Sequence, residues 1–164
     1  MRVPDDVDAA KYAPLLCAGV TVFNAMRQMN VPPGSTVAVQ GLGGLGHLGV
    51  QYAAKFGYRV VALSRGADKE AFARQLGAHE YVDTTKGDAG AALKALGGAD
   101  MIVVTSPDVK GIPELLNGLA PVGKLLVLSG ELSSNGMGWG KEKGLTGYAV
   151  PSEPVPINIV TLVS

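Results

Sequence analysis

The chain has 164 residues, 47% hydrophobic and 17% charged, with 14 basic side chains balancing 14 acidic ones, a length and mix that suit one domain with a single core. A neutral chain without a basic block offers no footprint for nucleic acid or an anionic membrane, and no apolar run approaches the ~20 residues of a membrane span. A lone cysteine, Cys17, excludes an internal disulfide, and Met1 to Asp6 lack the layout of a signal peptide, so the expected setting is reducing and cytoplasmic.

Residues 8–30 read as helix, because Tyr12, Leu15, Leu16, Val20, Phe23, Met26 and Met29 recur at the 3.6-residue period, with a break expected at Gly19. Val31-Pro32-Pro33-Gly34 closes that helix. Strand and helix patterns then alternate. A strand over 36–40 precedes a helix over 45–56 that Gly57 ends, and a strand over 59–64 precedes a helix over 67–76 that Gly77 ends. The second of these helices should turn Phe72 and Leu76 inward. A short strand from His79 to Val82, an alanine-rich helix over 88–96 and a strand from Asp100 to Thr105 follow. A helix over 108–119 carries Pro113, and a fifth strand runs from Lys124 to Ser129.

Near-continuous apolar strands suit a sheet covered on both faces. The order therefore predicts an α/β domain, a doubly wound parallel sheet of Rossmann type behind an N-terminal helix. The predicted division is a helical segment over 1–34 and a dinucleotide-binding domain over 35–164. Residues 131–156 mix Gly, Ser and Pro and read as loop, while 157–163 fit either a strand or a truncated helix.

The chemistry concentrates at Gly41-Leu42-Gly43-Gly44-Leu45-Gly46, set between the first strand and its helix. In that context the glycine spacing is a dinucleotide fingerprint rather than a turn that binds nothing. Gly41 permits the tight turn, Gly43 leaves room for a pyrophosphate, and Gly46 lets the helix pack against the strand. The helix start then aims amide N–H groups and a positive dipole end at the phosphates.

The end of the second strand selects between cofactors. An NAD site places Asp or Glu there to hold the ribose hydroxyls; this chain has Ser64, then Arg65, with Lys69 one helical turn on. Arg65 can grip a 2′-phosphate through a charge-assisted pair, which favours NADP over NAD. Thr105-Ser106-Pro107 and Leu128-Ser129-Gly130 fall at the carboxyl ends of strands, where open α/β sheets bind ligands.

Leu15-Leu16-Cys17-Ala18-Gly19-Val20-Thr21-Val22, the glycine run continued by His47-Leu48-Gly49-Val50-Gln51-Tyr52-Ala53, and Lys69 to Asp83 together resemble the cofactor domain of zinc-dependent alcohol dehydrogenases. This is the cinnamyl-alcohol and yeast-type branch of the medium-chain dehydrogenase/reductase superfamily, and the resemblance covers residues 10–130. It implies hydride transfer between NADP and an alcohol or aldehyde. Cys17 would be one ligand of a catalytic zinc, Thr21 a nicotinamide contact, and the loops at Thr105-Ser106 and Leu128 to Gly130 would border the ribose and nicotinamide. It also implies a catalytic domain outside this chain, with a further Cys and His on the zinc, and a sixth strand beyond the chain's end. A partial domain of that kind should be inactive alone.

Within the same superfamily a zinc-free quinone or enoyl reductase, with Cys17 inert, stays open, as does a nucleotide-binding module without chemistry. Substrate identity and oligomeric state, a homodimer among the options, also stay open. A methyltransferase is disfavoured by Ser64 standing where an acid would hold ribose. His47 suits first-turn packing or the phosphate side, and His79 the surface, because neither has the partners of a general acid or base. No Gly-Lys-Ser/Thr phosphate loop, Tyr-x-x-x-Lys pair or Gly-x-Ser-x-Gly elbow occurs.

Overall fold

The computed structural model describes residues 6–107 and 111–128, together with the backbone of two further strands at 146–149 and 160–163. The N-terminal segment forms α1 (Ala9–Tyr12), a 3₁₀ turn (Ala13–Leu16) and α2 (Ala18–Gln28). Asp8 caps α1 by accepting from the Ala10 and Lys11 amides. The break falls at Pro14 to Cys17, not at Gly19, because Pro14 opens the tighter turn there. Gly19 instead lies buried inside α2, where a Cβ would stand 3.1 Å from both Leu15 and the Tyr52 hydroxyl.

The strands are β1 (Thr36–Gln40), β2 (Arg59–Ser64), β3 (Glu80–Asp83), β4 (Ala99–Val104) and β5 (Leu119–Val127). All their pairings are parallel. Helices α3 (Gly46–Lys55), α4 (Glu70–Gln75), α5 (Ala89–Ala95) and α6 (Ile112–Leu116) connect them. The sheet order is β3-β2-β1-β4-β5-β7-β6, where β6 (Thr146–Ala149) and β7 (Val160–Val163) pair antiparallel. The direction of winding reverses between β1 and β4, which opens a crevice at their carboxyl ends.

Alternation along the strands feeds two cores. Val37 and Val39 of β1, Val60 and Ala62 of β2, and Met101 and Val103 of β4 join Val22 and Met26 of α2 and Val50 of α3. Ala38, Val61, Leu63, Ile102 and Val104 face the other way, onto Leu93 of α5 and Ile112 and Leu115 of α6. Both faces are thus covered, as the apolar runs required. Each fully buried valine or leucine contributes about 1.5–3 kcal/mol.

Several expectations are corrected by packing. Phe72 is 44% exposed and the small Ala73 faces the core instead, because α4 is only six residues long and follows a 3₁₀ turn at Ala67–Lys69. Tyr12, Leu15, Leu16 and Val20 are all exposed, although they are four of the seven residues that set the helical period. The expected helix over 108–119 is confined to α6, with 108–110 outside the described residues. β5 starts earlier than expected: Ala99 pairs with Leu119 and Met101 with Lys124, so Ala120 to Gly123 oppose the single residue Asp100. In that bulge Val122 sits at φ 59°, a left-handed conformation that costs a β-branched residue energy. Part of the expected loop, 146–149, is strand β6, and within the ambiguous run 157–163 residues 160–163 are β7, with 157–159 outside the described residues.

Candidate dinucleotide site

The glycine run forms the turn between β1 and α3. Gly41 takes φ +93° and its amide donates to the Leu63 carbonyl at 2.8 Å. From β4, Thr105 Oγ1 donates to the Gln40 carbonyl at 2.8 Å and reaches the Gly41 carbonyl at 3.3 Å. That hydroxyl therefore pins the turn. Gly46 lies so close to it that a Cβ would stand 1.8 Å from the Gly41 carbonyl oxygen, whereas a Cβ at Gly43 or Gly44 would meet nothing within 4 Å.

Leu45 precedes α3 without any side-chain cap. The His47 amide donates to the Gly43 carbonyl at 3.1 Å, so the first turn is closed partly by the glycine run itself. His47 Nδ1 lies 3.0 Å from the Gly43 carbonyl, which is a first-turn bond rather than a proton-transfer pair. His79 is exposed, yet its Nδ1 accepts the Val60 amide at 3.0 Å and prolongs the β2–β3 ladder.

Beside the turn opens a cleft of about 350 Å³. Its walls include Gln40 to Gly43, Ser64, Arg65 and Lys69, Thr84 after β3, Thr105 and Ser106 after β4, and Glu114 of α6. Ser64 is buried to 7% exposure, and its carbonyl accepts the Thr84 amide at 3.0 Å. Arg65 and Lys69 are exposed at the rim. The cleft thus joins a bare turn and two cations, which fits a phosphorylated nucleotide.

Not every expected residue converges there. Gly44, Leu45 and Gly46 build the turn and the helix start without lining the cleft. Cys17 is exposed at the head of α2 and Thr21 half-buried one turn on, and neither lines it. Among the described residues no three His, Cys, Asp or Glu side chains converge to hold a metal. Leu128 is buried, with its amide donating to the Val104 carbonyl, while Ser129 and Gly130 lie outside the described residues.

Sequence reading missed Gln40, Thr84 and Glu114. Gln40 was legible as the residue before the first glycine. Thr84 and Glu114 reach the cleft only because β3 and α6 flank it, a tertiary fact.

Residues 44–154 match the family model of zinc-binding dehydrogenases. The chain belongs to that family. Alcohol dehydrogenase patD of Aspergillus clavatus is 67% identical over 129 residues, covering 79% of this chain and 33% of that protein. Alcohol dehydrogenase patD of Penicillium expansum is 59% identical over 160 residues, covering 93% and 47%. A cinnamyl alcohol dehydrogenase of Sorghum bicolor superposes with TM-score 0.70 at 37% identity, over 79% of this chain and 36% of that one. This zinc-binding dehydrogenase chain therefore spans a third to about half the length of these relatives. Among its described residues no helix is long and apolar enough to cross a membrane.

Proposed function

We propose that this chain is the NADP(H)-binding domain of an alcohol/aldehyde oxidoreductase. The observation that carries the cofactor choice is the rim at the end of β2. There Ser64, Arg65 and Lys69 line the cleft at the place where an NAD site sets a carboxylate. Neither the Arg65 nor the Lys69 side chain has a hydrogen bond or ion pair with another described residue, so both are available to a 2′-phosphate. The relatives named alcohol dehydrogenase support the reaction class.

When bound, the nicotinamide supplies the hydride chemistry. The chain's own residues bind and orient. Gly43 leaves space that a pyrophosphate would take, Thr105 fixes the turn, and Ser64, Arg65 and Lys69 would hold the adenosine ribose and its phosphate. Cys17 would give a catalytic zinc one ligand of the usual three. Among the described residues no other His, Cys, Asp or Glu joins it in a set of three, so further ligands for such a zinc would come from outside them.

Titration calorimetry with 2′,5′-ADP against AMP tests the reading: the 2′-phosphorylated nucleotide binds more tightly, and equal or reversed affinities overturn the NADP assignment. Arg65→Ala narrows the gap by about 1–3 kcal/mol, the scale of a hydrogen bond to a charged group. An unchanged ratio would point to another anchor. Alcohol turnover by this chain alone with zinc added would refute the partial-enzyme reading.

A further inference from the structure

Both polar backbone groups of Gly66, which follows Arg65, are held by side chains from β3. The Gly66 amide donates to Asp83 Oδ1 at 2.9 Å, and the Gly66 carbonyl accepts the Tyr81 hydroxyl. Gly66 needs such support, because it takes φ +83° and ψ 147°, a region that glycine alone enters without strain. A Cβ there would also come 2.4 Å from Asp68 Oδ1.

The clamp is itself braced. Asp83 Oδ1 also accepts the Thr85 hydroxyl at 2.7 Å and the Thr85 amide at 3.0 Å, and Lys86 Nζ lies 3.9 Å from Oδ2. The Asp83 side chain is 8% exposed. Burial raises the Tyr81 phenol above its ordinary pKa and nearby carboxylates add to this, against the opposing hydrogen bond from Ser64; the phenol thus stays a donor at neutral pH. Neither Tyr81 nor Asp83 lines the cleft, whereas Ser64 and Arg65 do.

We propose that Tyr81 and Asp83 are positioning residues for cofactor selection, holding the Ser64-Arg65-Gly66 turn in the one shape that aims Arg65 at a 2′-phosphate. The inference rests on the NADP reading above. A turn already fixed before binding loses less entropy when the phosphate arrives. Two residues outside the cleft therefore act on its 2′-phosphate more than on the rest of the nucleotide.

Calorimetry with 2′,5′-ADP and AMP on the unmodified chain, Asp83→Ala, Asp83→Asn and Tyr81→Phe tests this, alongside amide exchange at Gly66. Asp83→Ala should weaken 2′,5′-ADP about tenfold and AMP less than about twofold, with faster Gly66 exchange. Asp83→Asn keeps an oxygen that accepts the Gly66 amide and should restore most of the loss. Tyr81→Phe should cost about threefold, and it decides the matter alone if Asp83→Ala does not fold. In an Arg65→Ala background, Asp83→Ala should add no further loss. Equal weakening of both nucleotides, or a preference unchanged in Asp83→Ala and Tyr81→Phe, overturns the clamp and leaves the NADP reading standing. Absence of any preference in the unmodified chain overturns both.

Discussion

Two glycines three residues apart should respond oppositely to the same methyl group. At Gly46 an added Cβ would lie 1.8 Å from the Gly41 carbonyl oxygen, so helix and turn must part by roughly 1.6 Å to regain ordinary contact. Overpacking in a closed site costs about 1–3 kcal/mol when side chains can adjust. Here the obstacle is backbone, so Gly46→Ala should reach or exceed about 3 kcal/mol, which lowers Tm by ~6–12 °C for a domain of this size. At Gly43 the Cβ meets nothing, and Gly43→Ala should leave stability within about 0.5 kcal/mol. It should nonetheless weaken NADP binding at least about tenfold, or ~1.4 kcal/mol, because the methyl occupies the space assigned to the diphosphate. Urea melts followed by circular dichroism, together with titration of NADP into each variant, separate the two effects. If Gly43→Ala binds NADP as tightly as the parent, the diphosphate does not lie on that turn. A Gly46→Ala chain that melts with the parent would refute the close approach.

Val122 is 78% exposed at φ 59°, so Val122→Gly sheds backbone strain while losing little burial. After the entropy glycine adds to the unfolded chain, a net gain of about 1 kcal/mol should appear as a higher melting temperature; a lower one would contradict the strain. Tyr58 donates to the Val31 carbonyl at 2.9 Å, and Tyr58→Phe should cost about 1 kcal/mol in urea denaturation. Burial raises the Tyr58 pKa, so the stability it contributes is complete below pH ~10 and disappears as pH climbs through the raised value. Tyr58→Phe should flatten that alkaline slope, and an identical slope would mean the phenol is not the titrating group. The Asp83 pKa is lowered, chiefly by the Thr85 hydroxyl and amide, with the Gly66 amide and Lys86 adding to this against partial desolvation. Its contribution is therefore present above the ordinary carboxylate range and lost as pH falls through the lowered value. Acid titration should show Asp83→Ala less acid-sensitive than the parent.

The first four strands, α3, α5 and the glycine turn were legible because each rests on local rules: apolar runs bounded by glycine, and a spacing that only a strand-turn-helix unit requires. β1 and β2 fell where the pattern placed them. Phe72 misled, since a large apolar residue reads as core until the short α4 shows Ala73 beneath it. Tyr12, Leu15, Leu16 and Val20 kept helical spacing although the described fold leaves them 37–58% exposed.

What the order of residues determined alone was therefore the parallel α/β plan, the bare glycine turn and the missing acid after β2. Those depend on contacts a few residues apart. Tertiary structure decided the rest: that Thr105 pins the turn from β4, that Thr84 and Glu114 wall the cleft, and that Tyr81 and Asp83 grip Gly66. Each of these joins strands or helices distant in sequence, and a periodicity read along one segment holds no information about what lies across from it.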